Sequence, residues 1–117
     1  MRVDYPSLIE GLSRDEKILF YGLLARNLTV ATRGIAADST LTATEEVERL
    51  KWLNEVTHRV LNRLLDLLQN GHNWTEKDLW NLIAHHAAQH RAVGAEVGFA
   101  IEHSYAALLK HTGHDRV

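Results

Sequence analysis

The stretch LIAHHAAQHRAVGAEVG, residues 82–98, decides how the C-terminal half of the chain folds. It has no proline, and its large apolar residues recur at helical rather than alternating spacing. Extended in both directions, the inner stripe becomes Leu79, Ile83, Val93, Val97, Ile101 and Leu108. That predicts one long helix from about Thr75 to about Lys110, bent near Gly94 and Gly98. Thr75 with Asp78 reads as its capping box, and Trp74 with Leu79 as its hydrophobic staple. Three histidines, His85, His86 and His90, fall within six positions of this helix. His86 and His90 sit on the inner stripe. His85 and the later His103 fall on the polar side.

Upstream, two more helix starts are marked in the same way. Ser13 with Glu16 forms a capping box for a helix running to about Ala37, and Thr42 with Glu45 forms another for a helix ending near Gln69. The acidic group Glu45, Glu46 and Glu48 suits the dipole at that second start. The inner stripe of the first helix is Phe20, Leu24, Leu28, Ala31 and Ile35, with Asn27 inside it. The second has a wide apolar face of Val47, Leu50, Leu53, Val56, Val60, Leu61, Leu64 and Leu68, flanked by Asn54 and His58. The one proline, Pro6, opens a short turn that closes at Gly11. The expected fold is all-α: an up-down-up bundle of three long helices behind a short N-terminal turn, a single helical-bundle domain over residues 1–117.

Composition narrows the function. There is no cysteine, so neither a disulfide framework nor a thiolate metal site is available. The formal net charge is −2, with both signs mixed and no basic block, which argues against nucleic acid as a partner. No apolar run is long enough to span a membrane, and MRVDYPSLIEG does not read as a secretory signal. The expectation is a cytoplasmic protein. No nucleophile elbow and no P-loop is present.

Counting from the loops places Asn27, Asn54, His58, His86 and His90 at similar height, as one polar layer in an apolar bundle. Such a layer can be a hydrogen-bonded network that fixes helix register. It can also be a metal site, because histidines at i and i+4 face one ion and His58 could add a third nitrogen. His58, His86 and His90 in this arrangement resemble the DinB-like metal-binding bundles, which take one histidine from an earlier helix and an HxxxH pair from a later one. That resemblance implies zinc or another divalent transition metal as cofactor; the residues alone require none. DinB-like proteins are longer and have a fourth helix.

A second resemblance is local. EVTHRVLNRL, residues 55–64, is similar to the phosphoacceptor box of one class of histidine kinases in Glu55, Val56, His58, Arg59, Val60, Asn62 and Leu64. It implies His58 as the phosphorylated residue, with Glu55 as base and Asn62 as an orienting group. Leu61 replaces a basic residue of that pattern, and there is neither a nucleotide-binding glycine box nor room for an ATP-binding domain. NLTVATR followed by LNEVTHR also resembles small bacterial all-α proteins, a likeness that carries no mechanism.

The third helix has a second apolar stripe, Ala84, Ala88, Ala92, Ala95, Phe99 and Ala106, opposite His86 and His90. Small residues allow close helix approach. A three-helix monomer would leave this stripe in water, so the sequence points to a homodimer through the third helix, compatible with a further protein partner. The functional reading is therefore a non-enzymatic helical interaction protein, with metal binding and phosphotransfer as alternatives.

Overall fold

A computed structural model describes residues 4–69, 76–89 and 91–112, without the side chains of 76, 78, 86, 89, 92, 93 and 112. Five helices follow in order: α1 (Tyr5–Glu10), α2 (Arg14–Ala36), α3 (Ala43–Leu68), α4 (Glu76–Gln89) and α5 (Arg91–Thr112). The all-α class holds, and no strand occurs among the described residues. The N-terminal turn is a short helix. Asp4 caps it by accepting from the Ser7 amide, and Pro6 sits in its first turn.

Both complete capping boxes form. Ser13 Oγ accepts from the Glu16 amide while the Glu16 carboxylate accepts from the Ser13 amide, and Thr42 and Glu45 repeat the pattern. Between these helices Asp38 accepts from both the amide and the hydroxyl of Thr40. Those bonds hold the Asp38 carboxyl below the ordinary carboxylate range. They favour this turn above the ordinary carboxylate pKa, and the help is lost as pH falls through the lowered one. The expected capping box of Thr75 with Asp78 and the staple of Trp74 with Leu79 involve residues outside those described.

The long third helix is the main departure from the sequence reading. A single helix from Glu76 to Thr112 would be about 55 Å long, more than the molecule's greatest extent of 42 Å. Instead the chain divides it into α4 and α5, which pack on each other. Ala87 and Gly94 are two turns apart in sequence and would sit roughly 10 Å apart in one helix. Here a methyl group added to Gly94 would lie 2.9 Å from Ala87 Cβ and 3.0 Å from its Cα. The two helices therefore double back. α1 closes the open end: Tyr5 meets Tyr105 edge to face, and Pro6, Ser7 and Glu10 line a groove with Lys77, Trp80 and Asn81 of α4.

This hairpin places α5 against α2, which packs on α3 on its other side. Arg14 at the start of α2 donates to the Leu67 carbonyl at the end of α3, so those helices are antiparallel. Asn27 pairs with Ser104, while the later Val30 and Ala31 line a groove with the earlier Glu96 and Phe99; α5 too runs antiparallel to α2. Being central, α2 buries Tyr21 and Ala25 as well as the expected Phe20, Leu24, Leu28 and Ile35. The hydrophobic core is completed by Leu53, Val56 and Val60 of α3, Leu79 and Ile83 of α4, and Val97, Ile101 and Leu108 of α5.

Close approach at Gly94 gives a direct expectation. Gly94→Val must push α4 and α5 apart and should destabilise by about 1–3 kcal/mol. Gly22→Ala, where nothing lies within 4 Å of the added methyl group, should instead stabilise by roughly 0.5–1 kcal/mol. Urea unfolding of both variants checks the contrast.

Candidate functional site

The α3 face is rotated from its expected setting. Its buried stripe is Leu53, Val56, Val60, Arg63 and Leu67. Val47, Leu61 and Leu68, expected inside, are exposed, as is Leu65. The reason is local. Residues 64–68 are apolar nearly all round, so a helical wheel cannot choose among them, and Arg63 counts as polar although its aliphatic stem can pack inward.

The rotation carries Asn54 and His58, two members of the expected polar layer, to the exposed side. His58 lies in an open surface depression lined by Asn54, Glu55, Thr57 and Leu61. Asn62 and Glu55 are half-buried. His86 belongs to α4, but its side chain, like the whole of His90, lies outside the described residues. The expected grouping of His58, His86 and His90 therefore falls partly on residues outside those described. Among the described residues no group of three potential metal ligands converges. His85 and His103 are exposed, as their places on the wheel predicted.

The polar contact that does cross the core involves a residue the sequence reading passed over. Asn27 Nδ2 donates to Ser104 Oγ at 2.9 Å. The Ser104 hydroxyl, fully buried, donates in turn to the Ala100 carbonyl. Asn27, placed in the polar layer by the loop count, pairs instead with α5 because the α4–α5 hairpin brings that helix to its side. The available signal was the small polar Ser104 one turn after Ala100, where a serine can back-bond to the helix.

Next to this pair the surface opens into a groove of about 210 Å³ between α2 and α5, lined by Val30, Ala31, Glu96, Phe99, Ala100 and His103 with Asn27 at its floor. Phe99 is 59% exposed and Val30 58% exposed. Ala95 and Ala106 are exposed beside Phe99 on α5. The alanine stripe is therefore bare where it is described, but it is not continuous. Ala84 and Ala88 belong to α4, and only the part around Phe99 belongs to α5. Val30, set in the polar run TVATR, is the residue of this patch that the stripe did not include.

No helix among the described residues is long and apolar enough to cross a membrane. No family model matches the chain, and neither a curated protein nor a solved structure is significantly similar to it.

The Asn27–Ser104 bond should be measurable. Ser104→Val leaves the Asn27 amide without its partner in a half-buried site and should cost about 1–3 kcal/mol. Adding Asn27→Leu should recover part of that loss, giving a non-additive double-mutant cycle in thermal unfolding.

Proposed function

We propose that this chain is a non-enzymatic helical interaction protein that works as a homodimer. The observation that carries the reading is the exposed pair Phe99 and Val30 at the α2–α5 groove. An aromatic ring more than half in water, beside a β-branched residue equally bare and a row of alanines, is surface that a partner would remove from solvent. The small side chains around Phe99 favour a helix as the covering element, because they let backbones approach closely. The test is sedimentation velocity of the full chain. A dimer at tens of micromolar supports the reading; a monomer at several hundred micromolar, roughly the upper end of weak specific association, contradicts it.

A second reading has its own observation. His58 is exposed in the depression beside Glu55 and Asn54, as a phosphoacceptor resembling the histidine-kinase box would need. Under that reading Glu55 takes the imidazole proton and Asn62 orients the ring, while an N–P bond forms at His58 as the acyl-phosphate O–P bond of a phosphorylated receiver breaks and releases its aspartate carboxylate. Incubation with such a donor should then produce acid-labile phosphate on the wild type and none on His58→Gln, with helicity unchanged. Equal labelling of both proteins, or of neither, removes His58 from consideration.

A further inference from the structure

We infer that the partner on the α2–α5 groove is a second copy of this chain, whose α5 lies antiparallel to the first about a two-fold axis at Phe99 and Ala100. The inference rests on the self-association reading and adds the face and the register.

Its basis is the self-complementarity of α5. At about 100° per residue, Phe99 sits at the centre of the exposed face. Glu96 and His103 lie one turn to either side of it on the α2 flank, both exposed and both on the groove rim. A two-fold axis between positions 99 and 100 sets Glu96 opposite the partner's His103 and His103 opposite the partner's Glu96. An isologous interface uses each such pair twice. The imidazole, neutral or protonated, donates an N–H, and the carboxylate accepts it. A parallel arrangement would instead set Glu96 against the partner's Glu96 and His103 against the partner's His103, so charge selects the antiparallel one.

The same axis delivers the apolar contacts. Each Phe99 enters the groove of the other copy, whose walls are Val30, Ala31 and Ala100. The exposed Ala95 and Ala106 flank the ring and keep the helices close. The opposite flank of α5 is already occupied, since Gly94 meets Ala87 and Tyr105 meets Tyr5. The second copy is thereby confined to the α2 side. The product is a layer of α2, α5 and their two counterparts. One helix pair about 33 Å long plus the edge of α2 buries on the order of 1,000 Å², the low end of specific interfaces. Association should therefore be micromolar.

The experiment is analytical ultracentrifugation of the full chain across roughly 0.5 to 500 µM, a range that brackets a micromolar dissociation constant and a tenfold weaker one. It compares wild type with Phe99→Asp, Glu96→Lys, His103→Glu and the double variant Glu96→Lys/His103→Glu, with helicity checked by circular dichroism. Wild type should dimerise and Phe99→Asp should be monomeric throughout. Each single charge variant should weaken association about tenfold, and the double variant should return it to within about threefold of wild type. Glu96 and His103 are exposed, so these variants carry the test even where Phe99→Asp lowers stability. A dimer that survives Phe99→Asp but is broken by Leu65→Asp on α3 would overturn the face and leave self-association standing. Loss in Phe99→Asp without recovery in the double variant would overturn the register. A wild type monomeric at every concentration would remove both the inference and the reading beneath it.

Discussion

The contact of Gly94 with Ala87 is the constraint on which the rest of the structure depends. Only a residue without a Cβ allows α5 to come back so closely along α4. That return lays α5 along α2 and turns the expected three helices into an up-down-up-down arrangement with α1 across its open end. It also decides which sides of α5 are occupied. One flank meets α4 and α1, the inner face supplies Val97, Ile101 and Leu108 to the core, and the face around Phe99 is left to solvent. The candidate surface is therefore a consequence of the hairpin rather than of the alanine stripe alone.

With α5 in place, α2 is packed on two sides, and its composition fits the task. Phe20, Tyr21, Leu24 and Leu28 are all fully buried. The Asn27–Ser104–Ala100 chain of hydrogen bonds is a specificity device of modest strength: it satisfies polar groups at one height and penalises registers that would separate them. It lies directly beneath the groove that Phe99 and Val30 border. A fixed register of α2 against α5 keeps those two apolar residues adjacent, so the same bond that orders the core also shapes the surface.

Much of this was legible in the sequence, and the parts that were not have physical causes. Helix starts were readable because Ser13–Glu16 and Thr42–Glu45 are complete capping boxes, whose signal is local. The break after Gln89 was not, since its neighbours are good helix formers and Gly94 lies several residues beyond it. What decides the hairpin is a tertiary contact, and a wheel drawn through residues 76–112 as one helix has no means to register it. The α3 face was misjudged for the opposite reason: too many leucines, with Arg63 buried among them. That rotation moved His58 and Asn54 outward, so among the described members of the expected polar layer His58 and Asn54 face solvent and Asn27 forms a core pair linking α2 to α5. The bare face of α5 was readable in kind, as a second apolar stripe on one helix, but Val30 could be joined to Phe99 only once α2 and α5 were known to be neighbours.

The most direct test of this account is the distance between Lys77 on α4 and Lys110 on α5, both exposed. The chain has no cysteine, so a pair introduced at these positions can carry spin labels without background. Double electron–electron resonance should give a dominant intramolecular distance below about 30 Å, as expected for two helices of 1.5 Å rise folded side by side, when the labelled protein is diluted into unlabelled protein. A dominant distance near 50 Å, the span of an unbroken helix between these residues, would contradict the hairpin and with it the placement of α5 on α2.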